Sequence, residues 1–174
     1  MNPKSPRTYS RPVPGFAQYD LDVRATAETG LVEFIDLSVD LTGFTAAELA
    51  ATGMVKAHFE ELQLTLGVSL LAAFLKSGLN AAALMESPVF GPLARNVIRM
   101  WYLGQWKRLP DEWLGKIAQT FSEEARKGFD EFGRNSDRVI SSSAYRHGLA
   151  WAAIGAHAPA TGSPGFASWA RPPT

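Results

Sequence analysis

Hydrophobic spacing along the chain predicts a succession of helices, the first of which begins at Gly30. Its apolar and small residues recur every three or four positions, the spacing of one face of a helix with 3.6 residues per turn. These residues are Leu31, Phe34, Ile35, Ser38 and Leu41. Thr42 and Gly43 follow directly, and we expect the helix to end there.

A second helix should begin at Ala46, because Thr45 can cap its free amides and Glu48 can bond back to the Thr45 backbone. We expect this helix to run to about residue 60. A separate apolar helix is predicted over about residues 62–76.

The second half of the chain predicts three more helices. The first starts after Ser87-Pro88 and ends at Gly104, and one face of it is broadly apolar. That face consists of Phe90, Leu93, Ala94, Val97, Ile98, Trp101 and Tyr102. A charged amphipathic helix carrying Trp113 is predicted over residues 111–132, and a last helix should run from the caps at Ser141–Ser143 to Gly155.

Both ends of the chain lack helical periodicity. Residues 1–27 are rich in Pro, Arg, Ser and Tyr, and residues 157–174 combine prolines with two large aromatic side chains. Strands are at most short. The sequence therefore predicts an all-α fold, a small irregular helical bundle over residues 28–156 with extended, proline-rich N- and C-terminal arms.

Charge and composition exclude several classes of partner. Lys plus Arg equals Asp plus Glu, 17 against 17, so no net charge attracts nucleic acid or an anionic membrane. The longest apolar stretch, residues 62–75, is interrupted by polar side chains and is too short to span a bilayer. The first 24 residues contain neither the apolar run of a signal peptide nor a twin-arginine pair. We expect a cytoplasmic protein as written, and a periplasmic one if a leader is missing or a partner carries the export signal.

The sequence contains no motif that would bind a cofactor. The glycine-rich GxGxxG turn, the phosphate-binding loop and the GxSxG nucleophile turn are all missing, and there is no cysteine. His58 stands three residues before Glu61, while His147 and His157 flank Trp151. A pair of ligands is fewer than a stable metal site needs, so structural roles are favoured over a metal-dependent enzyme.

Aromatic residues are concentrated in the C-terminal half. Helical spacing favours a core position for Trp101 and Trp151, whereas Trp106 and Trp169 lie in segments with Gly or Pro, where a large ring more often anchors a contact. The residues that we consider for a partner interface are Trp101, Tyr102, Trp106, His147, Trp151, Phe166 and Trp169.

Several segments resemble one protein family. Residues 34–44, FIDLSVDLTGF, resemble the opening motif of the small, or gamma, subunits of membrane-bound FAD-dependent sorbitol, fructose and glucose dehydrogenase complexes. Residues 98–104, 145–151 and 164–173 are similar to the closing motifs of the same subunits. These segments occur in the order expected of the family, and the resemblance covers nearly all of the chain beyond its N-terminal arm.

The resemblance implies a non-catalytic chain. In that family a large subunit of the glucose-methanol-choline type holds FAD and oxidises the sugar or alcohol, commonly with a cytochrome c subunit, and its haem, accepting the electrons. The small subunit stabilises the large one and supports its folding and export. Two alternatives remain open from the residues alone: a free-standing helical adaptor, and a small metal-dependent enzyme that uses histidine and carboxylate side chains.

Overall fold

The computed structural model describes residues 30–123, 135–156 and 158. Within these ranges the chain is mainly helical, which confirms the predicted all-α class. In chain order the elements are α1 (residues 30–42), α2 (Ala46–Ala51), α3 (Val55–Leu75), α4 (Ala81–Glu86), α5 (Gly91–Leu103), β1 (Gln105–Trp106), α6 (Asp111–Thr120), β2 (Arg138–Val139), α7 (Ser142–Arg146) and α8 (Leu149–Ala153).

The two predicted arms lie outside the described residues, apart from Ala158. Residues 28, 29 and 124–134 lie outside them as well. The proposed domain limits at residues 27 and 157 therefore remain predictions.

The end of α1 and the start of α2 lie where the sequence predicted them. At the end of α1, the Thr42 hydroxyl donates to the carbonyl of Ser38 at 2.7 Å, and Gly43 follows with φ +75°. Thr45 and Glu48 form a complete capping box at the start of α2. Side-chain oxygens thus satisfy amides that the first turn of a helix leaves free.

The predicted boundary near residue 61 is wrong. Helix α2 already ends at Ala51, where Gly53 turns the chain with φ +69°, and α3 then runs from Val55 to Leu75. Its regularity is interrupted at Gly67, which has φ 72° and ψ 161°. Because this segment is apolar on most sides, the periodicity of its sequence does not show where a helix breaks. The breaks lie at Gly53 and Gly67, which adopt positive φ.

Helix α4 was not predicted. It is short and rich in alanine, and Leu84 is its buried residue, so it has no hydrophobic stripe. Its start is set by Asn80, whose side chain accepts a hydrogen bond from the Ala83 amide at 2.9 Å. Capping by one asparagine is thus the feature of the sequence that marks this helix.

Helix α5 lies at the centre of the described fold. It contacts α4, β1, α7 and α8, and its buried face includes Leu93, Val97 and Trp101. Gly104 ends it in the left-handed conformation with φ 61°, as predicted. The positions of these four elements therefore depend on this helix.

The single helix predicted over residues 111–132 is also wrong. Helix α6 ends at Thr120, and Phe121 is extended, with φ −118° and ψ 149°. In this conformation its ring lies 6.3 Å from the ring of Phe90. Trp113 and Ile117 are buried, as the amphipathic pattern predicted.

The last predicted helix is divided into two. Ser141 caps α7, as expected, by accepting a hydrogen bond from the Ala144 amide at 2.9 Å. Gly148 then breaks the helix with φ −60° and ψ 135°, and α8 follows it.

Strands β1 and β2 pair antiparallel, with Gln105 opposite Val139 and Trp106 opposite Arg138. Strands are thus short, as predicted.

Candidate functional site

Trp101 joins the first, third and fifth helices in the core. Its side chain is 1% exposed, and its ring stacks on Phe34 of α1 with centroids 6.1 Å apart. On α3, the ring of His58 meets it edge-on at 4.7 Å. Aromatic contacts of this kind stabilise a core beyond the apolar area that they bury.

Tyr102, the next residue of α5, fixes the end of α1. Its hydroxyl donates to the carbonyl of Thr42 at 3.1 Å, and its ring lies edge-on to Phe44 at 6.0 Å. Thr42 belongs to the last turn of α1, so its carbonyl has no partner within that helix. Tyr102, a residue far along the chain, supplies the missing hydrogen-bond partner.

On its other side, the end of α5 packs against the C-terminal helices through two glycines. A Cβ on Gly104 would lie 2.4 Å from backbone atoms of Ala144 and Tyr145, and a Cβ on Gly148 would lie 2.5 Å from the carbonyl oxygen of Tyr102. No side chain fits at either distance. We call this region, residues 102–105, 138–140 and 144–154, the C-terminal corner.

Trp151 and His147 belong to the C-terminal corner. The Trp151 ring is edge-on to Tyr145 at 5.6 Å, and its Nε1 donates to the Tyr145 carbonyl at 2.9 Å. Trp151 is half-buried, whereas His147 is exposed. The Nδ1 atom of His147 lies 2.9 Å from the carbonyl oxygen of Ser143. The second ring nitrogen is thus left for a contact outside the helix.

Trp106 lies on the inward face of the β1–β2 pair, where it is 1% exposed. The guanidinium of Arg138, opposite it in the pair, lies 5.5 Å from the ring centroid. Arg138 Nη2 also donates to Glu61 Oε1 at 2.5 Å and to the Thr65 hydroxyl at 2.8 Å. This cluster attaches β2 to α3.

His58 lies on α3 against the ring of Trp101 of α5, with 1% of its surface exposed. Burial lowers the pKa of its imidazole to about 4, against an opposing effect of the Glu61 carboxylate. The ring is therefore neutral at pH 7. Its Nδ1 atom has no hydrogen-bond partner among the described residues.

The arrangement around His58 does not favour a metal centre. Glu61, its neighbour one turn along α3, is paired with Arg138. No group of three or more His, Cys, Asp or Glu side chains suited to a metal ion occurs in residues 30–123 and 135–156. His58 and Glu61 act in the described fold as parts of the core and of an ion pair.

The predicted interface residues thus occupy different environments. Trp101 and Trp106 lie in the interior, and a partner could reach them only if neighbouring side chains moved. Tyr102 and Trp151 are half-buried and His147 is exposed, all three in the C-terminal corner. Phe166, Trp169 and also His157 lie outside the described residues.

Sequence reasoning missed Arg138. Its carboxylate partner is 77 positions away, so no local spacing connects the two residues. The one available signal was an arginine placed directly before the apolar pair Val139-Ile140. A charged residue in such a position is often paired when it turns inward.

Comparison with protein-family models, with curated proteins and with solved structures yields no match to this chain. Separately, none of the helices in the described part of the chain is both long enough and apolar enough to cross a membrane.

Proposed function

We propose that this chain is the small, non-catalytic subunit of an FAD-dependent sugar or alcohol dehydrogenase complex. One observation carries the proposal. Three internal segments resemble the small-subunit family, and the middle one, residues 98–104, contacts both of the others: residues 34–44 through Trp101 and Tyr102, and residues 145–151 through Tyr102 and Gly104.

The residues shared with the family motifs have definable tasks in this packing. Phe34 stacks on Trp101, and Thr42 accepts the hydrogen bond from Tyr102. Gly104 and Gly148 permit backbone contacts that no other residue allows. Phe34, Thr42, Gly104 and Gly148 thus all hold α5 to its neighbouring segments, so the resemblance includes residues on which this fold depends. This supports the proposal that the resemblance is not a set of chance matches.

In the proposed complex the chemistry belongs to the partner. A large subunit of the glucose-methanol-choline type binds FAD and oxidises the substrate, and a cytochrome c subunit with its haem is a further proposed partner. This chain stabilises the large subunit, and supports its folding or export, through the helical bundle and the two terminal arms. Aromatic arms that become ordered on binding can bury a large area.

The first test compares the chain alone with the chain co-expressed with a large FAD-containing subunit. Alone, it should give a helical circular dichroism spectrum without flavin absorbance or dehydrogenase activity. Co-expression should yield a yellow complex whose flavin stays with the large subunit when the two are separated. One FAD bound per isolated chain, or two chains that never co-purify, would refute the proposal.

A paired substitution tests the contribution of the C-terminal tail. Trp169→Ala should weaken assembly by about thirtyfold, as expected for loss of an aromatic anchor worth about 2 kcal/mol. Trp113→Ala is the control, because Trp113 is 2% exposed and its Nε1 donates to the Val89 carbonyl at 2.5 Å. This control should cost about 3–5 kcal/mol of unfolding free energy.

Titration with the large subunit gives the affinity, and calorimetry gives the melting temperature. The contrary result is that Trp169→Ala binds normally, while Trp113→Ala loses binding at an unchanged melting temperature. That result would place the interface on α6 and not on the tail.

A further inference from the structure

We propose that the first half of α3, residues 55–66, is an acid-sensitive hinged segment that opens from the core when His58 takes up a proton. We call these residues the hinged segment. They belong to the chain itself, so their opening can be measured without a partner and does not depend on the proposed function.

The first observation is that glycines bound the hinged segment at both ends. Gly53 precedes it with φ +69°, and Gly67 follows it with φ 72° and ψ 161°. A Cβ on Gly53 would meet no atom of the described residues within 4 Å, and Met54 gives the first turn of α3 no side-chain cap. Glycine changes its backbone angles at little steric cost, so the helical turns between these positions can move as one unit.

The second observation is that the two halves of α3 pack as separate helices. A Cβ on Gly30 of α1 would lie 3.0 Å from the ring of Phe59 and 4.0 Å from the side chain of Leu75. In a continuous helix these two residues would be about 24 Å apart, at 1.5 Å per residue. The chain therefore folds back sharply at Gly67, and the hinged segment is a packing unit distinct from the second half of α3.

The third observation is that the hinged segment buries an ionisable group. His58 is 1% exposed, and it is the one ionisable side chain among the buried residues in the described part of the chain. Its ring lies edge-on to Trp101 at 4.7 Å, and its Nδ1 has no hydrogen-bond partner among the described residues. A protonated imidazole adds a charge and a second N–H donor, which this apolar site does not solvate. Opening places the ring in water, so the proton favours the open segment.

The charged groups around His58 do not offset this effect. On α3 the Glu61 carboxylate raises the imidazole pKa, but burial lowers it by more. Glu61 also pairs with Arg138 of β2. Burial and Glu61 account for the shift, so the charged side chains of α1 and α5 act too weakly to alter this pKa. Those side chains are Glu33, Asp36, Asp40, Arg95 and Arg99.

The two pKa values of the imidazole set the size of the response. The pKa is about 4 in the closed segment, and in the open segment it returns to its ordinary value of about 6.5. The open state thus binds more protons between these values. Its equilibrium constant should increase about twentyfold from pH 7 to pH 5. Opening uncovers Leu62 and Leu66, both 0% exposed in the closed state, so acid makes apolar core surface accessible.

Native-state hydrogen exchange of the full chain tests this opening. Amides of residues 56–66 should be about tenfold or more less protected than those of α5, because they exchange through local opening rather than through global unfolding. Low denaturant should accelerate exchange in α5 more, since global unfolding exposes more surface. Corrected for intrinsic exchange, the protection of residues 56–66 should fall about twentyfold from pH 7 to pH 5. In His58→Phe, which has no titrating ring, the fall should be less than about threefold.

Two results would overturn the proposal. Residues 56–66 and α5 could share one protection factor and one denaturant dependence, which would mean that the segment opens only when the whole chain unfolds. The twentyfold fall could also persist in His58→Phe, which would mean that another group senses the pH. If His58→Phe does not fold, an NMR titration of the His58 ring in the wild-type chain replaces it. An imidazole pKa near 6.5 in the folded chain would then overturn the proposal, because an unshifted group cannot drive opening.

Discussion

At the scale of single residues, the placement of His58 makes the stability of this protein depend on pH. The imidazole is buried between α1, α3 and α5, against the ring of Trp101, and its pKa is lowered from 6.5 to about 4 by burial. In the unfolded chain it takes up a proton below about pH 6.5. Between these two values the unfolded state binds more protons, so stability falls as the pH decreases.

We predict that this histidine costs the protein about 3 kcal/mol of unfolding free energy between pH 7 and pH 4. His58→Phe keeps an aromatic ring beside Trp101 and cannot titrate. Denaturant unfolding of both proteins at several pH values gives the comparison. Glu48 and Asp137, whose pKa values are also lowered, add their own acid dependence to both proteins and cancel in the difference. A difference that stays constant with pH would show that His58 is accessible to protons in the folded state.

At the scale of elements, glycines decide where helices end or break. Gly43, Gly53 and Gly104 all have positive φ and lie at helix ends, and Gly67 interrupts α3 in a region of φ and ψ that is essentially restricted to glycine. By contrast, Gly115 lies inside α6, where a Cβ would meet no atom within 4 Å. The same residue type is thus required at one position and replaceable at another.

Replacing these glycines by alanine should give effects of opposite sign. Gly67→Ala should destabilise the protein by about 1–3 kcal/mol, because alanine is strained at φ 72° and ψ 161°. Gly115→Ala should stabilise it by about 0.5–1 kcal/mol through higher helix propensity. Chemical denaturation measures both. Stabilisation by Gly67→Ala would mean that α3 is continuous.

These positions also mark how far sequence reasoning reaches. The capping box of Thr45 and Glu48, the cap at Ser141, the stripe of α5 and the stop at Gly104 were predictable, because each depends on residues within one or two turns. The break at Gly67, the end of α6 at Thr120 and the division at Gly148 were not. Phe121 leaves the helix beside Phe90, and Gly148 is fixed by contact with Tyr102. Such contacts depend on packing between distant segments.

The candidate site shows the same division. The motif segments and the aromatic residues of the C-terminal half were identified from the sequence, including Tyr102, His147 and Trp151 of the C-terminal corner. The exposure of Val139 was not, because exposure is a property of the folded surface. Sequence thus indicated the region, and the fold is needed to tell its buried residues from its accessible ones.

At the scale of the whole molecule, an ion pair joins the N-terminal half of the described chain to its C-terminal half. The side chains of Arg138 and Glu61 are 22% and 13% exposed, and their contact attaches β2, next to the C-terminal corner, to the middle of α3. Asp137, the residue before Arg138, pairs with Lys107, and these two side chains are 56% and 60% exposed. Two neighbouring ion pairs therefore differ in their access to water, which screens charge.

We predict that Arg138→Met lowers the unfolding free energy by about 2–3 kcal/mol, because it removes the cation that faces the largely buried Glu61 carboxylate. Lys107→Met, the matched control, should cost less than about 1 kcal/mol, since water surrounds both members of that pair. The double variant Arg138→Met/Glu61→Gln should recover part of the loss, because the uncompensated charge is removed. Denaturant unfolding at pH 7 measures all three. Arg138→Met and Lys107→Met could instead lose equal unfolding free energy, with no recovery in the double variant. That result would mean that the pair of Arg138 and Glu61 does not hold β2 to α3. The C-terminal corner would then depend on its glycine contacts alone.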